Sequence, residues 1–225
     1  MRTRTISFQS GDDHLEAFFA RPERGEPFPG VVVIHEASGL NDNIKDIARR
    51  FANQGYAAFA VDLFANRNRA VCMARIMGGM LRGSPDLFGV PDLKRALGVL
   101  AEQPYVDEDR LGAIGFCMGG GFAIAWACTD DRLKAIAPYY GANPRPLSAV
   151  ARSCPVVGSY PGSDFTARSA RKLEAELERH GVPHDVKIYP GARHSFFNDR
   201  GRSYDPAASE DSWRRTLAFF REHIG

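Results

Sequence analysis

Residues 111–121, Leu-Gly-Ala-Ile-Gly-Phe-Cys-Met-Gly-Gly-Gly, join an apolar strand pattern, a sharp turn and a small-residue helix start. Within them, residues 115–119 read G-F-C-M-G, the nucleophile-elbow pattern with a thiol in place of the usual hydroxyl. Gly115 and Gly119 lack a Cβ, so the chain can reverse tightly beside Cys117. The N–H groups at the following helix start favour a thiolate and can hold an oxyanion. The pattern is short, and a cysteine here is also compatible with plain apolar packing. Other motifs of the chain must therefore decide whether Cys117 is a nucleophile or a buried apolar residue.

Strand and helix patterns alternate on both sides of this stretch. Buried strands are predicted at residues 31–34, 56–61, 133–139, 155–160 and 185–189, and helices after residues 41–43, near 91, at 164–180 and at 206–223. Strands at 3–8 and 15–20 form an N-terminal hairpin. The alternation predicts one α/β domain over residues 1–225, with a mostly parallel central sheet, helices on both faces and an antiparallel N-terminal hairpin.

Residues 62–91 interrupt this alternation. Residues 72–81 are compatible with a helix, but Gly78-Gly79 and Arg82-Gly83 should break it. We therefore expect an excursion above the sheet that could form a small cap.

The composition is that of an ordinary globular protein. The 225 residues are 25% charged and 44% hydrophobic, and the net charge of +2 is too small to imply a nucleic-acid or membrane partner. The N-terminus has no apolar core of a secretory signal, and the four cysteines form no C-x-x-C pair, so a reduced, cytoplasmic protein is expected. Gly181 and Pro183 prevent a helix from presenting His180 and His184 to a metal. We expect no metal, no cofactor, a small-molecule partner, and a monomer or weak homo-oligomer.

Two loops supply candidate partners for Cys117. Asp164 lies in P-G-S-D after the predicted strand at 155–160, and His194 lies in P-G-A-R-H after the strand at 185–189. The order nucleophile, acid, histidine and the position at the carboxyl ends of strands are those of an elbow hydrolase. Asp164 alone is equally compatible with a helix cap, and His194 alone with a structural loop histidine. The three together favour a catalytic triad.

A third loop, His35-Glu36-Ala37-Ser38-Gly39, follows the strand at 31–34. It should supply the second oxyanion donor, the N–H of Ala37, beside the N–H of Met118. Glu36 is a candidate acceptor for the Cys117 proton; the alternative is an exposed loop glutamate. His35 is interpreted as structural.

These residues resemble the dienelactone hydrolase family of the α/β-hydrolase fold, over nearly the whole chain. The matching pieces are H-E-A-S-G-L at 35–40, D-L-F at 62–64, G-F-C-M-G-G at 115–120, Y-Y-G at 139–141, G-S-D at 162–164 and P-G-A-R-H-S-F at 190–196. The resemblance implies a Cys117–His194–Asp164 triad and a Glu36 that helps to ionise the thiol when substrate arrives. It also implies hydrolysis of a lactone conjugated to a carboxylate, without a cofactor.

One position departs from the family's pattern. Four residues after its histidine, the family carries an arginine for the substrate carboxylate, where this chain has Asn198; Arg200 is a possible substitute. The second carboxylate-binding arginine falls within 62–91, and its candidates are Arg67, Arg69, Arg75 and Arg82. Of these, Arg75 is taken with Asn198 as a substrate-binding residue.

Phe196 and Phe197 are expected either to wall the pocket or to pack in the core. Two other functions stay open: a general carboxylesterase or thioesterase, and a non-catalytic redox sensor that uses Cys117.

Overall fold

One eight-stranded sheet runs through the chain in a computed structural model that describes residues 1–25, 27–82 and 88–225. The strands are β1 Arg2–Ser10, β2 Asp13–Arg21, β3 Phe28–Ile34, β4 Ala57–Asp62, β5 Val106–Phe116, β6 Leu133–Tyr139, β7 Val156–Pro161 and β8 His184–Tyr189. Their order is β1-β2-β4-β3-β5-β6-β7-β8. β1 and β2 form an antiparallel hairpin, β2 pairs antiparallel with β4, and the other neighbours are parallel. The predicted sheet with its N-terminal hairpin is confirmed.

Helices cover both faces of this sheet. They are α1 Asp42–Asn53, α2 Arg69–Arg82, α3 Val90–Ala101, α4 Met118–Ala127, α5 Thr166–Arg179 and α6 Pro206–Ile224, with a 3-10 helix at Leu147–Arg152 that the sequence patterns did not indicate. Asn41 caps α1 by accepting a hydrogen bond from the N–H of Ile44 at 3.1 Å.

The central strands are apolar on both sides because each side packs against helices. In β3, Val32 and Ile34 belong to one buried cluster, shared with α3 and α4, whereas Val31 and Val33 belong to the other, shared with α1 and α6. The apolar run at 111–129 is divided between β5 and α4. Within the described ranges, no helix combines the length and apolar composition that crossing a bilayer needs.

The segment after β4 differs from its sequence pattern. The helix α2 continues through Gly78 and Gly79, which were expected to break it. Each glycine costs about 1 kcal/mol relative to alanine in a helix. Cys72 and Ile76, both 3% exposed, anchor α2 in the core, and this burial offsets the cost. The remainder of the expected excursion, residues 83–87, and the side chain of Arg82 lie outside the described residues.

Candidate active site

Cys117 occupies the sharp turn between β5 and α4. Its backbone has φ 54° and ψ −112°, a left-handed conformation that non-glycine residues seldom adopt. The turn is tight: a Cβ on Gly115 would lie 2.0 Å from the carbonyl oxygen of Gly119, and a Cβ on Gly119 would lie 2.4 Å from that of Ile34. Both glycines are therefore required by backbone contact. The strained position holds Cys117 at the carboxyl edge of the sheet.

The loops after β7 and β8 bring Asp164 and His194 together. The Nδ1–H of His194 donates to Oδ2 of Asp164, which leaves Nε2 available. The other oxygen of Asp164 accepts a hydrogen bond from the N–H of Thr166 at 2.5 Å. One carboxylate thus accepts from the first residue of α5 and from the imidazole, although the N-cap position itself is Phe165. The Asp164 side chain is 5% exposed and that of His194 is 32% exposed.

Two aromatic rings flank the imidazole of His194. The Tyr140 ring lies 4.9 Å away between centroids, and the Phe165 ring lies 6.1 Å away and nearly parallel, at 13°. Phe165 is 76% exposed, unusual for so large an apolar side chain. Sequence reasoning missed Phe165; its only signal is a bulky apolar residue directly after the acid.

The thiol of Cys117 is half-buried and faces two backbone donors. Burial raises the pKa of this thiol. The N–H groups of Met118 and Ala37 oppose that rise, whereas the negative charges of Glu36 and Asp164 add to it. In the described part of the chain, no hydrogen bond joins Sγ to the imidazole of His194. The net effect favours a protonated resting thiol, with two N–H groups at the place where an oxyanion would form.

Glu36 is held beside the thiol by two hydroxyl groups. Its Oε1 accepts hydrogen bonds from Tyr140 Oη at 3.2 Å and from Ser195 Oγ at 3.0 Å. Both donors have left-handed backbones, with φ 42° for Tyr140 and 61° for Ser195. Burial, and then the charge of Glu36, raises the pKa of Tyr140 well above its ordinary value, so this phenol remains a donor. Neither donor was singled out from the sequence, although both lie inside matching motifs.

His35 fixes the loop that carries Glu36 and Ala37. It is fully buried; its Nδ1–H donates to the Glu36 carbonyl at 2.7 Å, and its Nε2 accepts from the N–H of Leu63 at 3.1 Å. Burial lowers the pKa of His35, so the neutral ring is favoured. These contacts are those of the structural histidine that the sequence indicated.

The candidate arginines differ in their contacts. Arg67 forms ion pairs with Asp92, at 2.5 Å, and with Asp13, at 2.6 Å, and its side chain is 10% exposed. Arg75 is exposed and lies over the ring of Phe88 at 5.3 Å. No described contact joins Arg75 to Cys117, and its role in substrate binding stays a prediction.

Arg69 makes a different contact from the other arginines. Its Nη2 donates to the carbonyl oxygen of Ala37, in the loop at residues 35–39, and its guanidinium lies 5.6 Å from the centroid of the Phe64 ring. Arg69 therefore borders the site.

The residues after His194 make local or core contacts, and the substrate-binding role expected of Asn198 stays a prediction. Asn198 is half-buried and accepts a hydrogen bond from the N–H of Arg200 at 3.1 Å, within its own turn. Arg200 pairs with Asp42 at 3.2 Å. Phe196 and Phe197 are 0% and 2% exposed and pack among core aromatic rings, which is the core-packing alternative rather than a pocket wall. The described residues contain no group of three or more potential metal ligands.

An eight-stranded, mostly parallel sheet with a nucleophile elbow at its carboxyl edge defines an enzyme of the α/β-hydrolase fold. The chain belongs to the dienelactone hydrolase family, whose sequence model matches residues 15–224, and it is therefore a hydrolase of ester bonds.

Named relatives and solved structures agree with this family. The "Putative carboxymethylenebutenolidase" of Saccharolobus solfataricus is 35% identical, over 96% of this chain and 97% of its own length. The crystal structure of a dienelactone hydrolase-like promiscuous phosphotriesterase from metagenomic libraries is 29% identical, with a TM-score of 0.87 over 100% of this chain and 99% of its own. The Pyrococcus horikoshii acylaminoacyl peptidase, at 17% identity and a TM-score of 0.82 over 99% of this chain and 41% of its own, shares the fold.

Proposed function

We propose that this chain is a single-domain cysteine hydrolase that opens lactones or activated esters through a thioester intermediate. The observation that carries the proposal is the sulfur of Cys117 on a strained elbow, facing the N–H groups of Ala37 and Met118. The Asp164–His194 pair supplies the oriented base that a thiol nucleophile needs. A small-molecule ester or lactone is the substrate class.

The reaction begins with the proton of Cys117. Glu36 or His194 takes this proton, and the thiolate attacks the carbonyl carbon of the ester. The N–H groups of Ala37 and Met118 hold the resulting oxyanion. The intermediate collapses with cleavage of the bond to the ester oxygen, and the proton taken from Cys117 passes from its acceptor, His194 or Glu36, to that leaving oxygen. Water, deprotonated by His194, then cleaves the thioester and restores the thiol, with Asp164 keeping the ring in place.

A protonated resting thiol fits this scheme. The carboxylates of Glu36 and Asp164 and the burial of the sulfur all oppose ionisation. Hydrogen bonds from Tyr140 and Ser195 hold the side chain of Glu36 close to the thiol. Substrate that displaces water from the site strengthens the electrostatic interaction between Cys117 and Glu36, and this favours proton transfer from the thiol to the carboxylate.

The leaving group sets the substrate preference. A thiolate is expelled more easily than an ordinary alkoxide, so a tetrahedral adduct with a simple alkyl ester reverts instead of reacting. An enolate, as in an enol lactone, is a better leaving group than an alkoxide, so the adduct expels the enolate and goes on to the thioester. Arg69, which donates to the carbonyl oxygen of Ala37, is the arginine best positioned to bind a carboxylate on the substrate.

Turnover of three substrates tests the proposal: a conjugated enol lactone, γ-butyrolactone and p-nitrophenyl acetate. We expect the highest kcat/KM for the enol lactone, loss of activity in Cys117→Ala, and a mass increase on Cys117 when the enzyme is quenched during turnover. Cys128→Ala removes a buried thiol at the C-cap of α4 and is the matched control. Full activity of Cys117→Ala would overturn the cysteine mechanism. Faster turnover of the aryl acetate would instead indicate a general esterase.

A further inference from the structure

Three arginines share one face of the N-terminal hairpin, at its open end. The register of β1 and β2 pairs Arg2 directly with Arg21, and Arg4 with Phe19, so Arg4 is the diagonal neighbour of Arg21. Like charges directly opposite each other on a sheet are destabilising. This arrangement therefore needs a compensating partner.

The three guanidinium groups line a cavity of about 210 Å³, together with Thr3, Phe19 and Tyr105. A water molecule occupies about 30 Å³ in the liquid, so the cavity holds more than a single bare ion. It lies where β2 ends, beside the pairing of Ala20 with Ala58 at the amino end of β4. Cys117 lies at the carboxyl edge of the sheet, so this cavity is separate from the candidate active site.

Arg21 is the buried arginine of this cavity. It is 7% exposed, and its guanidinium lies 3.9 Å from the centroid of the Tyr105 ring. Its Nη1 donates a hydrogen bond to the carbonyl oxygen of Pro22 at 3.0 Å. A guanidinium has five N–H donors and stays charged, and its burial is costly unless those donors are paired.

The negative charge near this cluster is small. Glu23 lies 4.0 Å from Arg2 and its side chain is 62% exposed, so it screens the cluster weakly. Arg4 is bonded to the neutral side chain of Gln103 at 2.6 Å. Within the described residues, no carboxylate reaches Arg21.

We propose that this cavity, here called the hairpin arginine cavity, is a binding site for an oxyanion, either free phosphate or the phosphate group of a small organic molecule. Guanidinium groups bind phosphate oxygens in pairs, and Arg2, Arg4 and Arg21 present several such donors around one space. The ring of Tyr105 stacks on Arg21 and keeps it in position for such a ligand.

Isothermal titration calorimetry of the full chain with inorganic phosphate, at constant ionic strength set with sodium chloride, tests this site. We expect saturable binding at one site, weakened about tenfold or more in the double variant Arg2→Gln/Arg4→Gln. That variant changes two exposed side chains, so it should fold and retain hydrolysis of an activated ester. Arg21→Gln should abolish binding where it folds. Arg49→Gln is the matched control, because Arg49 stacks on Phe18 of the same hairpin but does not line the cavity, and this variant should bind phosphate normally.

A second titration, with glycerol 3-phosphate, distinguishes the two sources of the oxyanion. Tighter binding of glycerol 3-phosphate indicates an organic phosphate as the occupant, and tighter binding of inorganic phosphate indicates the free ion. Absence of saturable binding to the wild type, or equal affinity in the double variant, would overturn the proposal. Neither result depends on the catalytic mechanism.

Discussion

The carboxylate of Glu36 acts on Cys117 in two opposite ways. Its charge raises the thiol pKa and so keeps the resting sulfur protonated, yet it is a potential acceptor for the same proton. Glu36→Gln separates the two effects, because glutamine keeps an oxygen that can accept from Tyr140 and Ser195 but loses the charge. We expect the thiol pKa to fall, measured by the pH dependence of iodoacetamide alkylation. We also expect kcat/KM to fall by about 10²–10⁴, the usual contribution of a general base.

Glu16→Gln, on the exposed side of β2, controls for the loss of a carboxylate elsewhere and should leave both measurements unchanged. An unchanged thiol pKa in Glu36→Gln would show that the carboxylate does not act on the sulfur. A lowered thiol pKa with full activity would assign proton removal to His194 alone.

Phe165 is the exposed side chain that most directly borders the imidazole of His194. Phe165→Ala should change the stability by no more than about 0.5 kcal/mol, as expected for an exposed side chain. We expect a higher KM for esters with aromatic or bulky apolar groups and little change for small ones, because the ring offers apolar contact beside His194. Steady-state kinetics on a series of esters checks this, with Tyr204→Ala, another exposed aromatic residue, as control. Equal KM changes for small and bulky esters would show that Phe165 does not select the substrate.

At the scale of elements, His35 joins the end of β3 to the start of the segment after β4. Its Nε2 must be unprotonated to accept from Leu63, and burial lowers its pKa below the ordinary 6.5. Below pH 6.5, His35 therefore binds a proton in the unfolded chain but stays unprotonated in the folded chain. The free energy of unfolding then falls as the pH falls towards the folded-state pKa of His35. Within that window, the free energy of unfolding should fall by up to about 1.4 kcal/mol per pH unit from this group.

Urea unfolding at pH 7.5, 6.5 and 5.5 measures this dependence. His35→Asn should be less stable at pH 7.5 and should show a smaller decrease on acidification. His14→Asn replaces an exposed histidine and should keep the wild-type dependence. The same pH dependence in His35→Asn as in the wild type would rule out His35 as its source.

The elements differ in how far their sequences predicted them. The run at 31–34 predicted β3 because apolar residues on both sides of a strand indicate helices on both faces. Residues 41–43 likewise indicated the start of α1, and the structure shows that Asn41 is the cap. The local pattern left α2 undecided, because Gly78 and Gly79 weaken it and the burial of Cys72 and Ile76 that stabilises it depends on the rest of the fold.

The candidate site divides in the same way. Cys117, Asp164 and His194 were proposed from short motifs after predicted strands, where the fold places reactive groups. Tyr140 and Ser195 were missed because they act through Glu36, which lies 104 and 159 residues away in the sequence. Local patterns give no information on such distant contacts. Asn198 was chosen because it lies four residues after the histidine, and Arg75 was one of four candidate arginines within 62–91. Only the tertiary structure shows their local contacts.

At the scale of the whole molecule, one buried ion pair ties the N-terminal hairpin to the helical layer. Arg67, in the segment before α2, binds Asp92 of α3 at 2.5 Å, and Asp92 also accepts from Ser10 Oγ of β1 at 2.5 Å. The side chains of Arg67 and Asp92 are 10% and 9% exposed, so their interaction is little screened by solvent. Asp13, the other partner of Arg67, is 47% exposed and contributes less.

Removal of one member of this pair should be more damaging than removal of both. Arg67→Met leaves Asp92 buried without its cation, and we expect a loss of about 3–5 kcal/mol in the free energy of unfolding, measured with urea. The double variant Arg67→Met/Asp92→Leu removes both charges and should recover most of that loss, because an apolar pair can replace a buried ion pair. Arg95→Met, in a pair with Glu102 whose side chains are 45% and 64% exposed, controls for loss of an exposed ion pair and should cost less than about 1 kcal/mol. A double variant no more stable than Arg67→Met would show that the arginine stem and Ser10, rather than the charge pair, hold the hairpin against α3.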